Sequence, residues 1–281
     1  MTIFLLIVSF FAAFFISLFT SIAGISGAFL LLPFQIGILD TAAPSVSSTN
    51  QLYNVIACPA GIWKFLREGR LLLPLTLFMA AGTLPGVLLG AMARATVFRS
   101  ADRFLVFAAF VLGYVGWRLL FAKDKNYKTD GECKVISFSL SEFSFEYGDT
   151  VYRLRAVKIM AISMIVGLIG GIYGIGGGGM IAPFLVSFFG LPVHAISGAC
   201  LFTTFLTSFL GVFFYCLISP FFTGAPLMPD WIMGTVIGLG GMCGIYIGAS
   251  VQKYISGRII KIFLGLLQLG ISVVFVLKSL Y

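Results

Sequence analysis

The sequence predicts an all-α polytopic membrane protein: about eight transmembrane helices in two four-helix repeats with glycine-broken half-helices, and a small β-hairpin-like central loop. Three observations carry this prediction. Of 281 residues, 59% are apolar and 10% charged, with a mean hydropathy of +1.07, whereas a soluble domain carries about 25% charged residues. The apolar residues form long charge-free runs, and between Lys158 and Asp230 there is no Lys, Arg, Asp or Glu. Finally, two stretches share one glycine–proline pattern. Gly174-Ile175-Gly176-Gly177-Gly178-Gly179-Met180-Ile181-Ala182-Pro183 is matched by Gly24-Ile25-Ser26-Gly27-Ala28-Phe29-Leu30-Leu31-Leu32-Pro33, the proline following the first glycine at the same distance. Such breaks open the backbone, which lipid tolerates only where protein or a cavity covers it.

About 20 apolar residues cross the hydrocarbon core. On that measure spans fall at 3–21, 46–65, 71–93 and 104–121, with the first broken segment at 24–39. After a polar loop at 123–155 come spans at 156–173, 195–218, 231–252 and 259–277, with the second broken segment at 174–191. Residues 1–19 hold no basic n-region and stay apolar too long for a cleaved signal, so they read as a first span. The stretch 1–39 is too long for one crossing and too short for two plus a turn; a span followed by a half-helix fits.

The halves resemble each other elsewhere too. Gly82, Gly86 and Gly90 form a four-residue ladder, as do Gly240, Gly244 and Gly248, and Arg103 and Arg258 open matching spans. Small residues at this spacing let helix backbones approach in lipid. The organisation expected is therefore 1–122 as the first repeat, 123–155 as the central loop and 156–281 as the second repeat. Four crossings per half predict parallel repeats, unless a broken segment crosses completely, which would invert them. In the central loop, Val135-Ile136-Ser137-Phe138-Ser139-Leu140 and Phe143-Ser144-Phe145-Glu146-Tyr147 alternate apolar and polar residues before Gly148-Asp149, the pattern of a hairpin or three-stranded flap.

The formal charge of +8 sits at the ends of apolar runs, which points to topology and lipid headgroups and away from nucleic acid. Every basic residue except Arg94, Arg99, Arg103, Lys253, Arg258 and Lys261 is assigned to the side of the termini and central loop, which the positive-inside rule makes cytoplasmic. Cys58, Cys133, Cys200, Cys216 and Cys243 show no CxxC or zinc-finger spacing. Small-hydrophobe packing explains them, and neither metal nor cofactor is expected.

Four residue sets could carry chemistry. Gly174, Gly176, Gly177 and Gly178, with Gly24 and Gly27, could expose amides at a half-helix N-terminus, an anion site favoured by the macrodipole; close helix packing is the other reading. The run matches GxGxxG, but no βαβ unit surrounds it and no Walker lysine follows. Next come polar stripes on the helices after each break: Ser47, Asn50, Gln51 and Asn54, then Cys200, Thr203, Thr204 and Thr207. These either line a pathway or hold helices together. His194, the one histidine, could bind an anion or cap a span. Lastly, Gly24-Ile25-Ser26-Gly27 matches a GxSG string, and Ser26 with His194 would suggest an intramembrane serine hydrolase; yet the equivalent of Ser26 in the second repeat is Gly176, so the break explains the string. No span centre holds a carboxylate, which disfavours a cation as substrate.

The paired segments 24–33 and 174–183, the Ala195-Ile196-Ser197-Gly198-Ala199 stretch and the duplication resemble the sulfite exporter TauE/SafE family. The resemblance implies a multi-pass permease of the cell membrane, not an enzyme, exporting sulfite, sulfonates or related organosulfur anions. Import of an anion such as thiosulfate is the alternative, and a homodimer is the assembly considered.

Overall fold

A computed structural model of the chain describes residues 3–22, 24–39, 43–121, 133–139, 142–148, 150–222, 226–254 and 257–280. The first half supplies α1 (Ile3–Ile22), the short α2 (Ala28–Leu39), α3 (Pro44–Arg67), α4 (Leu73–Thr96) and α5 (Ala101–Phe121). Three strands follow, β1 (Cys133–Phe138), β2 (Phe143–Tyr147) and β3 (Thr150–Leu154). The second half repeats the order with α6 (Ala156–Tyr173), the short α7 (Gly177–Phe189), α8 (Val193–Ile218), α9 (Trp231–Val251) and α10 (Gly257–Leu280). Proline at the first turn of α3 suits a position with no intrahelical donor to lose. Asp230 caps α9 by accepting from the Met233 amide at 2.9 Å. Among the described residues five helices, α1, α4, α6, α8 and α9, are long and apolar enough by themselves to cross a membrane. In α3 the residues Ser47 to Gln51 and Asn54 are all buried and polar, which lowers its hydropathy without exposing anything polar to lipid.

The glycine ladders fix the arrangement. A Cβ on Gly82, Gly86 or Gly90 of α4 would overlap the carbonyl oxygen of Met160, Met164 or Leu168 of α6. In the same way Gly240, Gly244 and Gly248 of α9 rest on the carbonyls of Phe10, Phe14 and Leu18 of α1. Each ladder is thus a parallel, backbone-on-backbone crossing, and each joins one half of the sequence to the other. The result is two interleaved bundles: α1, α3 and α9 with α2 on α3, and α4, α6 and α8 with α7 on α8. They meet along α3 and α8, while α5 and α10 pair with each other.

Helix directions correct the expectation of parallel repeats. Leu52 lies on Gly234 and Ile56 on Gly238, so α3 runs with α9, and therefore with α1. Between two helices of one direction, α2 must carry the chain back, and each half has an odd number of passes. The matching helices α3 and α8 are antiparallel, since Gly198 lies on Phe65 and Gly211 on Gln51. Gly116 against the Gly265 carbonyl and Gly113 against Ser272 make α5 and α10 antiparallel as well. The repeats are inverted.

This also separates the termini from the flap. The Cys133 amide donates to the Gly69 carbonyl at 3.1 Å, and Phe78 of α4 meets the rings of Phe138 and Phe143 at 5.3 and 6.0 Å. The flap therefore sits where α3 ends and α4 begins, whereas α1 starts and α10 ends on the opposite face. Counting the broken segments as non-crossing would place them together. The flap itself is a three-stranded antiparallel sheet ordered β1-β2-β3, with Phe143, Phe145 and Tyr147 of the middle strand buried. Gly148 turns between β2 and β3 at φ +61°, while Asp149 lies outside the described residues.

Candidate functional site

Both breaks are built on the same cap. Gly24 and Gly174 adopt φ +73° and +84°, a left-handed conformation that costs an L-residue strain. The next amide reaches back five residues in each case, Ile25 to the Thr20 carbonyl at 3.1 Å and Ile175 to Gly170 at 3.0 Å. Gly24 then lies against Ser197 of α8, and Gly174 against the backbone of Ser47 of α3. Every residue in the second pairing is 150 removed from its counterpart in the first. The turn of each half rests on the stripe-bearing helix of the other.

The break glycines are packed. Gly27 lies under the Tyr53 hydroxyl and Ser17. A Cβ on Gly176 would stand 2.6 Å from the Ser208 hydroxyl and 3.1 Å from that of Thr207. A Cβ on Gly177 would stand 2.5 Å from Thr83 Cβ, and one on Gly178 would overlap the Cys200 carbonyl and the Thr204 amide. The Gly177 amide donates to Thr207 Oγ1 at 3.1 Å. Close packing accounts for each of these glycines, and the amide at Gly177 is already engaged.

Asn54 joins the two breaks. The Ser26 hydroxyl donates to Asn54 Oδ1 and accepts from the Ala28 amide at 3.3 Å. From the same side chain, Nδ2 donates to the Ile175 carbonyl at 2.7 Å and to Ser208 Oγ at 3.1 Å. Ser26, Asn54 and Ser208 are all fully buried, near the middle of α3 and α8. One turn earlier, Asn50 Nδ2 donates to the Ala28 carbonyl at 2.9 Å and Oδ1 accepts from Gln35 at 3.4 Å. The Ser26 proton faces an amide oxygen, which is no base, and this counts against a nucleophilic role.

Two buried arginines that the sequence reading treated as loop charges flank this centre. Arg94, with no exposed surface, donates through Nε to Ser47 Oγ at 3.1 Å and through Nη1 to the Phe98 carbonyl, and lies 3.7 Å over the Phe104 ring. Ser47 in turn donates to the Ile172 carbonyl at 3.3 Å. At the flap face Gln252 Nε2 donates to Ser197 Oγ at 3.0 Å, while Arg70 Nη2 donates to Gln252 Oε1 at 2.7 Å and to the His194 carbonyl at 2.9 Å. His194 thus belongs to the flap-face mouth. The signal for these residues was legible: Arg94 continues the spacing of Gly82, Gly86 and Gly90, and Gln252 that of Gly240, Gly244 and Gly248. A residue in register with an interhelical ladder faces inward.

The second stripe turns its hydroxyls back on its own helix, Thr204 to the Cys200 carbonyl at 2.9 Å and Thr207 to the Thr203 carbonyl at 2.8 Å. Thr203 Oγ1 and both amide atoms of Gln51 are buried with no hydrogen-bond partner in the structure. Cys58 and Cys200 are buried packing residues. In the flap, burial pushes the Cys133 thiol up to about 11, so it stays protonated at neutral pH.

Comparison with known proteins gives one family and one curated relative. The family described as Sulfite exporter TauE/SafE matches residues 9–275. The probable membrane transporter protein MJ0441 of Methanocaldococcus jannaschii is 28% identical over 134 residues, 46% of this chain and 47% of the relative. The match therefore spans about half the length of that relative. No solved structure matches.

Proposed function

The chain belongs to the sulfite exporter TauE/SafE family and is a membrane transporter, and from that premise we propose that it exports small sulfur-containing anions such as sulfite or organosulfonates. The observation that carries the reading is the Asn54 bridge. A single buried amide ties both broken segments together at mid-membrane, with an arginine set into each mouth. Side-chain amides and hydroxyls hold oxyanions without adding charge. The buried Arg94 guanidinium makes the mouth at the face of the termini attractive to an anion, whereas Arg70 in the flap-face mouth is paired with the Glu68 carboxylate at 2.9 Å. The substrate passes between α3 and α8, along Ser47, Gln51 and Asn54 on one wall and Thr204, Thr207 and Ser208 on the other.

Orientation follows from charge. Among the described residues Lys64, Arg67, Arg70, Arg118, Lys134, Arg153, Arg155, Lys158, Lys253, Arg258 and Lys261 lie at the flap face, against Arg94, Arg99, Arg103 and Lys278 at the face of the termini, so Lys253, Arg258 and Lys261 fall on the side opposite to the one their charge pattern suggests. The positive-inside rule makes the flap face cytoplasmic and the opposite face external. An interior-negative potential then drives an anion outward by about 2.3 kcal/mol per charge per 100 mV. The test is flux from proteoliposomes loaded with labelled sulfite, sulfate, thiosulfate, sulfoacetate or taurine. Efflux of sulfite or a sulfonate above protein-free controls is expected; absence of flux for all five would overturn the substrate assignment.

A further inference from the structure

In the α3–α8 seam, midway between the Arg94–Ser47 contact and the Asn54 bridge, Gln51 is fully buried and both its amide oxygen and its amide nitrogen lack a hydrogen-bond partner. Orphaning a buried polar atom costs about 1–3 kcal/mol, and folded proteins keep few such groups. The surroundings make room for this one. Gly211 of α8 lies directly against the Gln51 amide, and a Cβ there would force that amide to shift. Ser47, Gln51 and Asn54 are spaced to stack on one face of α3. The position matching Gln51 in the other repeat is the buried Leu201, packed against Gly61, so the inverted fold does not itself require an amide here.

Resting on the transporter reading above, we propose that Gln51 is the specificity-determining contact for the anion and that the species it selects is a protonated monoanion of the hydrogensulfite type. The chemistry follows from both atoms being orphaned. Nε2 can donate to a terminal oxygen of the anion, and Oε1 needs a donor, which an S–O–H group supplies. A dianion leaves Oε1 facing an acceptor and brings a second charge into a buried site, at a further desolvation cost.

The test uses the full chain in detergent, with sulfite as the probe and methanesulfonate, a monoanion without an O–H, as the control. Wild type is expected to gain thermal stability with sulfite, its affinity falling as pH is raised through the second ionisation of sulfite. The weaker affinity for methanesulfonate should stay flat over the same range. Gln51→Met, which removes both orphaned atoms at similar volume, should raise the ligand-free midpoint by about 2 °C or more and weaken sulfite binding at least tenfold. A lowered midpoint would show that the Gln51 amide is satisfied in the folded chain and would overturn the inference. Gln51→Met binding sulfite as wild type does overturns the inference alone. A wild type whose sulfite affinity ignores pH removes the protonated species, and this arm stands even if the variant does not fold. A wild type that no sulfur anion stabilises overturns the substrate reading and this inference with it.

Discussion

The two breaks are one piece of backbone written twice with different side chains. Gly24 and Gly174 make the same cap, and each leans on a serine of the opposite repeat. Around the first, Tyr53 fills the space over Gly27 and bonds Ser17 at 2.7 Å; at the second, Thr83 closes on Gly177 and Thr203 stands at the position matching Tyr53. Side-chain amides lie on the first stripe, Asn50, Gln51 and Asn54, where the second has Cys200, Leu201 and Thr204. Arg94 holds Ser47 directly, whereas Gln252 holds Ser197 and is itself held by Arg70. Duplication therefore supplies the frame, and divergence within it supplies the chemistry. Under the function proposed above, α3 carries the selectivity and α8 the scaffolding.

Breaking the shared frame should have the largest effect, and the same one in both halves. Gly86→Val and Gly244→Val each push a branched side chain into the carbonyl of a facing helix, Met164 or Phe14. Each is expected to cost about 3 kcal/mol or more, at the upper end of overpacking penalties. Gly270→Ala, where nothing lies within 4 Å, is the control. The measurement is the yield of monodisperse protein and its melting midpoint. Unequal damage from the two ladder variants would show that the two crossings do not carry equal weight.

Next in size comes the replacement of a first-repeat amide by its second-repeat equivalent. Asn54→Thr removes the bonds to Ser26, Ile175 and Ser208. A loss of about 1–3 kcal/mol is expected, since partners are left unsatisfied in the core, and sulfite flux should fall by an order of magnitude or more. Thr204→Val loses one bond to the Cys200 carbonyl of its own helix and should lower flux much less than Asn54→Thr. Flux equally sensitive to both substitutions would assign the chemistry to both stripes.

The mouths can be equalised too. Arg94→Gln copies the Gln252 side chain into the mouth at the face of the termini. The sulfite concentration giving half-maximal transport should rise about tenfold, equivalent to about 1.4 kcal/mol, when the anion is offered at the face of the termini. Offered at the flap face, it should change little. Proteoliposomes of defined orientation provide the measurement, and a change of equal size from both faces would dissociate Arg94 from its mouth.

Much of this was legible in the sequence. Helical spans follow from hydropathy and the flap from period-2 alternation, and the ladders from glycines four apart. The duplication followed from the breaks, and Ser26, Asn54 and the two glycine turns do come together. What misled was the count of passes. A 12-residue helix such as α2 spans about 18 Å, short of the hydrocarbon thickness, so from sequence it reads as a half-crossing, although with its turn it returns the chain fully. That single miscount made the repeats parallel and put the termini beside the flap. Charge misled in a second way: Arg94 follows its ladder glycines at the same spacing as Gln252 follows its own, but as a cation at a span's end it was assigned to topology. Nothing local distinguishes the Gly177 amide, engaged by Thr207, from a free one, because that bond comes from 30 residues away.

The smallest effect expected sharpens the comparison most, because the two halves should respond with opposite signs. The Tyr53 hydroxyl is buried, and its hydrogen bond to Ser17 lies in the first repeat. The matching positions in the second are Thr203 and Gly167, and the Thr203 hydroxyl has no hydrogen-bond partner. Tyr53→Phe removes one partner and strands Ser17, so a loss of about 1 kcal/mol is expected. Thr203→Val removes a buried hydroxyl that gains nothing, replacing it with a methyl of similar volume, so the melting midpoint should hold or rise slightly. Sulfite flux should survive in both, since neither hydroxyl bonds Asn54 itself. Thermal midpoints of the two variants beside wild type decide the matter. If Thr203→Val is destabilised as much as Tyr53→Phe, the second repeat satisfies that hydroxyl in the membrane, and the asymmetry between the breaks is confined to their amides.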